Sequence, residues 1–225
     1  MLHRREVSRI EGFSDAVFAF AITLLVVSLE VPKTFPELMA VVRGFPTFAV
    51  CFALLFQVWW RHYKFFRSYD LEDSYTIALT GILLFVVLFY VYPLKFVWSL
   101  PFEQMAGRRV GDEVLRIEDT PTLFFVYGAG VIAVFGVLAL MYHHAYRLRA
   151  QLQLTPLQAL EARAQAYSSL GVAFIGMVSI AIAAITGRLA IHSVGLAGFA
   201  YFGIGVTEWA VGSYRRRQHR RLAGA

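Results

Sequence analysis

Three polar side chains near the amino terminus stand at the start of an apolar stretch. Arg9, Ser14 and Asp15 lead into a run that reads Ala-Val-Phe-Ala-Phe-Ala-Ile-Thr-Leu-Leu-Val-Val from residue 16. An arginine and a carboxylate at the mouth of a membrane helix are costly to desolvate, so they need polar partners and usually mark an ion or substrate path. These residues therefore predict a polar network beside such a path.

The segment that carries these residues is predicted to be helical. Ser8 followed three residues later by Glu11 fits a capping box, so the helix should begin near Arg9. At about 100° per residue, one stripe of the helix holds seven side chains. They are Arg9, Phe13, Ala16, Phe20, Leu24, Val27 and Val31, with Thr23 at the edge of the stripe.

Asp15 points away from this stripe, so it cannot pair with Arg9 on the same helix. Donors are available in Trp59-Trp60-Arg61-His62, which a short hairpin would bring to the same side of the membrane. An indole N–H of Trp59 or Trp60, or the imidazole of His62, would satisfy the carboxylate. The alternative is that the tryptophans form an interfacial belt and that His62 is hydrated.

The composition identifies an all-α integral membrane protein. Hydrophobic residues make up 58% of the chain and charged residues 16%, whereas soluble domains contain about 45–50% apolar and about 25% charged residues. Cys51, the single cysteine, excludes an intrachain disulfide framework. No constellation for enzyme chemistry, no resident cofactor and no metal site is evident, so an enzyme is not expected.

Apolar segments long enough to span a bilayer predict six transmembrane helices in one domain, residues 1–225. The expected spans are 10–31, 42–62, 74–97, 120–146, 164–187 and 190–213. Thr155 is expected to cap an inner extension of the fifth span, with Pro156 at its first position.

Basic residues indicate the orientation of the chain. With six spans, the side that holds both termini carries 14 of the 21 Lys and Arg residues, which favours cytoplasmic termini and the plasma membrane. Five of the 14 lie in the tail Arg215–Arg221. A basic run directly after a membrane span indicates an anchor for anionic lipid headgroups, and nucleic acid is not expected as a partner.

The pattern Arg9-x-x-x-Phe13-Ser14-Asp15, with the apolar run that follows it, resembles the first-helix signature of the transmembrane protein 175 family of lysosomal and prokaryotic potassium channels. Six helices, inside termini and the Trp59-x-x-His62 element agree with this resemblance. One copy of the signature in 225 residues resembles the prokaryotic form. That form implies a homotetramer in which the first helices line a central pore.

The resemblance implies a potassium-preferring, weakly selective cation channel without a carbonyl selectivity filter. It assigns the hydrophobic constriction to Phe20, where the family usually has isoleucine or leucine, and selectivity to the hydroxyl of Thr23. Leu24 and Val27 would continue the apolar lining, K⁺ would be a permeant ion, and no cofactor is expected. The resemblance also implies a proton conductance, which some family members show.

Two other functions are compatible with the residues alone. One is a small secondary transporter, although neither inverted repeats nor broken midplane helices are evident in the sequence. The other is a membrane scaffold in which Arg9, Asp15 and His62 form a purely structural clasp.

Overall fold

The computed structural model describes residues 7–27, 31–105, 119–188, 200–207 and 209–213, and within these ranges every regular element is a helix. The α-helices in chain order are α1 (Arg9–Val27), α2 (Phe35–Arg43), α3 (Phe45–Tyr69), α4 (Ser74–Met105), α5 (Thr120–Arg147) and α6 (Pro156–Arg188). A 3-10 turn, Ala200–Phe202, precedes helical residues 203–207 and 209–213. The all-α prediction is confirmed over these ranges.

Capping side chains fix the starts of two helices. The backbone N–H of Ser8 donates to Glu11 Oε2 at 2.9 Å, and the N–H of Glu11 donates to Ser8 Oγ at 3.3 Å. This is the reciprocal capping box predicted for α1, and it satisfies two donors that have no partner inside the helix. The N–H of Gln158 donates to Thr155 Oγ1 at 3.2 Å, so the predicted cap of α6 is also confirmed.

A short helix, α2, occupies the segment that was expected to link the first two spans. Thr34 caps it by accepting a hydrogen bond from the N–H of Glu37 at 3.4 Å. Gly44 ends α2 and begins α3, and the two helices meet at a bend of 42°. The bend sets the start of α3 at Phe45, three residues after the start expected from hydropathy.

The chain divides into two compact units, Met1–Trp98 and Ser99–Ala225. In the first unit, α1 packs against α3, and the ring of Phe18 lies 5.8 Å from that of His62. The prediction of one domain over residues 1–225 stays a prediction.

In the second unit, α5 packs along α6 at a point where both helices have a glycine. A Cβ added to Gly128 would lie 2.6 Å from Ile180 Cγ1 and 3.0 Å from the carbonyl oxygen of Gly176. On the other side, a Cβ on Gly176 would lie 3.0 Å from Ile132 Cγ1. Small residues let membrane helices approach closely, so these two glycines set the spacing of the pair.

Three described helical segments are long and apolar enough to cross a membrane: Ser74–Glu103, Thr120–Arg147 and Pro156–Ile185. The bent pair of α2 and α3 makes four if it is counted as one span. The total of six spans stays a prediction, since residues 189–199, where the sixth was expected to begin, lie outside the described ranges. The basic tail 215–221 lies outside them as well.

Candidate functional site

Helix α1 has one buried face and one exposed face. The buried face consists of Ser14, Phe18, Ala21 and Leu25, none of which is more than 2% exposed. These four positions fall within an arc of about 60° on a regular helix. The opposite side carries Phe13, Ala16, Phe20 and Thr23, all of them exposed. The packing of the described residues therefore leaves uncovered the face that holds Phe20 and Thr23.

The aromatic residues of α1 show how sharply the two faces differ. Phe18 is 2% exposed, whereas Phe20 is 57% exposed. Their positions differ by about 200° around the helix axis, so the Phe18 ring points into the first unit and the Phe20 ring points away from it. A large apolar side chain on an uncovered face must contact lipid, another protein chain or an apolar pore wall.

The exposed face is turned relative to the stripe that the sequence predicts. Its centre, taken as the direction opposite the buried arc, lies about 50° from the centre of the predicted stripe. Thr23 is close to this centre, not at the edge. Leu24 is half-buried, because it lies about 90° from the buried arc. The side chain of Val27, the remaining predicted lining residue, lies outside the described part of the structure.

The Thr23 hydroxyl is bonded to its own helix. Its oxygen lies 2.7 Å from the carbonyl oxygen of Phe20 and 3.0 Å from that of Ala19. The single hydroxyl proton is therefore donated to the backbone, and the oxygen lone pairs remain available as acceptors. An exposed oxygen in this state can contact a cation but cannot donate to an anion.

At the amino-terminal end of α1, Asp15 is joined to α3. Trp59 Nε1 donates a hydrogen bond to Asp15 Oδ1 over 2.8 Å. The indole of Trp59 is also held by rings on its own helix, with centroid distances of 5.2 Å to Phe56 and 5.5 Å to Tyr63. Of the three donors considered from the sequence, the structure brings Trp59 to the carboxylate.

The other residues of the predicted network are placed separately. Ser14 is buried, and its hydroxyl donates to the carbonyl oxygen of Ile10 at 2.7 Å. His62 is 2% exposed, with its ring 5.8 Å from that of Phe18 and 4.9 Å from that of Phe66. It packs between these two aromatic rings.

Two predicted network residues have exposed side chains. Phe13 is 59% exposed on the same face as Phe20. Arg9 is exposed at the first position of α1, and no described residue forms a hydrogen bond or ion pair with it. Within the described single chain, the network therefore reduces to the Asp15–Trp59 bond and the packing of Ser14 and His62.

A cavity of about 210 Å³ lies beside this bond. The residues that line it come from the start of α1, the residue two positions before it, and the later part of α3. They are Val7, Glu11, Asp15, His62, Tyr63, Phe66 and Arg67. Across the described ranges, no group of three His, Cys, Asp or Glu side chains is arranged to hold a metal ion.

The carboxyl-terminal end of α1 is held by a lysine that the sequence analysis did not select. Lys95 Nζ, from α4, donates to the carbonyl oxygen of Leu25 at 3.4 Å. Carbonyls in the last turn of a helix have no partner inside it and carry partial negative charge, so an ammonium group is favourable there. A lysine directly after the uncharged stretch 74–94 was the available signal.

The α1 helix is thus bonded to α3 near its start and to α4 at its end, and one of its faces is exposed between these two bonds. Trp59 holds its first turns, Lys95 holds its last turn, and the exposed face between them is apolar with one hydroxyl at its centre. With the long apolar helices α4, α5 and α6, these features define a multi-pass membrane protein whose first helix is free to face further chains or lipid.

Known proteins place this membrane protein in a family. A family model described as endosomal/lysosomal potassium channel TMEM175 matches residues 9–90. A Marivirga tractuosa protein named potassium channel is 38% identical over 207 residues, which cover 88% of this chain and 83% of that protein. The chain belongs to the TMEM175 family. This is a family of channels and not of enzymes, as the sequence predicts.

Solved structures agree with this assignment. A crystal structure of a variant of the potassium channel MtTMEM175 matches with a TM-score of 0.82 and 34% identity, over 96% of this chain and 97% of that chain. A lysosomal potassium-selective channel homologue from Chamaesiphon minutus matches with a TM-score of 0.54, over 87% of this chain and 96% of that chain. At 22% identity, the second match supports the fold alone.

Proposed function

We propose that the chain is one subunit of a homotetrameric, potassium-preferring and weakly selective cation channel, with the α1 helices of four copies around the pore. The observation that carries the proposal is the uncovered face of α1, on which Phe20 is exposed while Phe18 is buried. The names of the relatives, which are potassium channels, support potassium as the main permeant ion.

Several copies are needed because one helix cannot enclose a path for ions. Each chain carries one copy of the signature around Arg9 and Asp15, so a ring of α1 helices requires one chain for each helix. The α1 helices would lie at the centre of this assembly. The bonds from Trp59 and Lys95 would then hold α1 at a fixed angle to the pore axis.

Phe20 and Thr23 have separate roles in this proposal. Four Phe20 rings would form an apolar constriction that excludes water when it is narrow, and dewetting of such a ring closes a pore. Thr23 lies about one turn further along α1, and its lone pairs would replace part of the hydration shell of a cation. Leu24 and Val27 would line the flank of the pore. Because only one hydroxyl layer contacts the ion, selectivity is weak, and protons also pass.

Arg9, Phe13, Ser14, Asp15, Trp59 and His62 are proposed to position α1 and not to line the narrow part of the pore. Their support is the Asp15–Trp59 bond and the burial of Ser14 and His62. We place both termini in the cytoplasm and the protein in the plasma membrane, because the basic residues favour that orientation. The tail at 215–221 would bind anionic lipid headgroups.

Ion flux into liposomes tests this function. We expect the purified protein to support passive K⁺ flux that increases with the K⁺ gradient without saturating, and a slower flux of Na⁺. Saturable or proton-coupled uptake would indicate a secondary transporter, and absence of flux would favour a scaffold. Empty liposomes and liposomes with an unrelated membrane protein serve as controls.

The oligomer is tested separately by native mass spectrometry of the protein in detergent. A mass of four subunits is expected. A stable monomer would contradict the pore model, because a single α1 helix cannot surround an ion.

A further inference from the structure

The short helix α2 has an apolar face that no described residue of its own unit covers. None of its residues is buried. Phe35 is 72% exposed, Leu38 42% and Val42 54%. These three side chains fall within an arc of about 60° on the helix, so the exposed apolar surface is one continuous stripe.

Polar and small residues occupy the other side of α2. Ala40 and Glu37 lie roughly opposite the apolar stripe, and Arg43 lies at its flank. Glu37 Oε2 accepts a hydrogen bond from the N–H of Lys33 at 2.7 Å, which keeps this carboxylate at the start of the helix. The helix is therefore amphipathic, with cationic side chains near both ends.

The apolar stripe of α2 continues onto exposed aromatic side chains of α3. Phe45, the first residue of α3, is 64% exposed, and Phe52 and Phe56 on the same helix are also exposed. The rings of Phe45, Phe48, Phe52 and Phe56 follow one another at centroid distances of 6.4, 6.1 and 6.1 Å. An apolar surface thus runs from α2 past the 42° bend and along α3.

We propose that α2 is an interfacial helix that lies along the membrane surface, with Phe35, Leu38 and Val42 inserted among the lipid acyl chains. Lys33 and Arg43 then reach the lipid phosphates, because long cationic side chains extend toward headgroups while their stems stay apolar. The 42° bend at Gly44 is what lets the chain turn from this helix into α3.

Two other environments for the apolar stripe of α2 are less favourable. A nine-residue helix is about 13 Å long, and three side chains offer far less than the ~800 Å² per partner of a standard protein interface. A second copy of the chain is thus a poor match for this surface alone. A position deep in the bilayer would desolvate Glu37 and Arg43, which is costly for charged groups.

Nitroxide labelling tests the proposal in the full-length protein. Cys51 is the only cysteine and is buried, so a Cys51→Ala background accepts single new cysteines cleanly. Leu38→Cys places a label on the apolar stripe, and Ala40→Cys is the matched control on the opposite side. Both proteins are reconstituted in phosphatidylcholine–phosphatidylglycerol vesicles. The rate at which the nitroxide label collides with oxygen, which concentrates in lipid, is compared with its rate of collision with a water-soluble nickel chelate.

We expect the oxygen-to-nickel accessibility ratio to be several-fold higher at residue 38 than at residue 40. Equal, nickel-dominated ratios would place the helix in water. High oxygen ratios at both residues would place it deep in the bilayer, and a label at 38 shielded from both reagents would indicate a protein partner. Each of these three results would overturn the proposal.

A second label pair, Val42→Cys and Glu37→Cys, gives the same comparison if either first variant does not fold. The outcome is independent of ion conduction. Failure of K⁺ flux would leave the position of α2 unchanged, and a failed labelling result would leave the channel proposal unchanged.

Discussion

Trp59 and Asp15 are 44 residues apart in sequence, yet Trp59 Nε1 lies 2.8 Å from Asp15 Oδ1. This hydrogen bond joins α3 to the first turns of α1 at a point where both side chains also contact solvent. Together with the packing of Phe18 against His62, it sets the rotation of α1 about its own axis. The buried arc around Phe18 then faces α3, and the arc around Thr23 faces away.

Removal of the indole donor tests the bond. We expect Trp59→Phe to destabilise the protein by about 1 kcal/mol, because the aromatic contacts remain and only a hydrogen bond is lost. Thermal unfolding in detergent measures the change. Trp60→Phe is the control, since no described residue accepts a hydrogen bond from Trp60. Equal destabilisation by both substitutions would mean that the Asp15 bond contributes nothing of its own.

The proposed constriction is tested by the size of the side chain at residue 20. Phe20→Ala should raise single-channel conductance, because a smaller side chain leaves a wider and more hydrated ring. Phe20→Trp should lower it. Planar bilayer recording measures both. An unchanged conductance in Phe20→Ala would remove this residue from the pore.

Phe18→Ala is the matched control for that substitution, since it removes the same ring from the buried face of α1. It should cost about 3–5 kcal/mol of stability through the cavity it creates. Its effect is therefore expected in the unfolding temperature and in the amount of folded protein. A specific gain of conductance in this variant would contradict the assignment of the two faces.

The hydroxyl at residue 23 is tested with an isosteric change. Thr23→Val keeps the shape of the side chain but removes the oxygen lone pairs, so the preference for K⁺ over Na⁺ should fall. Reversal potentials under K⁺/Na⁺ gradients measure this preference. Thr23→Ser keeps the oxygen and should retain most of it. An unaltered reversal potential in Thr23→Val would exclude this residue from ion selection.

The close contact of α5 and α6 is tested at Gly128. A Cβ there meets Ile180 at 2.6 Å and the backbone of Gly176 at 3.0 Å, so Gly128→Ala should cost about 1–3 kcal/mol of stability. Gly136→Ala is the control, because a Cβ at Gly136 meets nothing within 4 Å. It should be neutral or stabilising by up to about 1 kcal/mol through helix propensity. Similar unfolding temperatures for both variants would contradict the close packing.

Local signals in the sequence predict helix ends well. The capping box of Ser8 and Glu11 depends on residues three apart, and the cap at Thr155 with Pro156 is equally local. Such bonds form wherever the residues occur at that spacing, so no knowledge of the remaining fold is needed. The same logic would have found α2, since Thr34 and Glu37 have capping-box spacing. A search for apolar segments misses α2 because the helix is short and contains charged residues.

Contacts between helices were less predictable. Asp15 had three candidate donors in Trp59, Trp60 and His62, and the sequence places all of them near the same end of α3. Their directions differ by about 100° for each residue, so the rotation of α3 decides which one reaches the carboxylate. In the fold, Trp59 faces Asp15, while His62 faces Phe18.

The sequence by itself determined the class of the protein, because apolar length, charge distribution and the Arg9-to-Asp15 signature are properties of the linear chain. It also determined that α1 has an apolar stripe containing Phe20. Tertiary structure decided which way that stripe turns and where Thr23 and Leu24 lie relative to it. It also decided that Lys95 holds the last turn of α1. The physical reason is that helical periodicity fixes relative angles within a helix, whereas only packing against other helices fixes its absolute rotation.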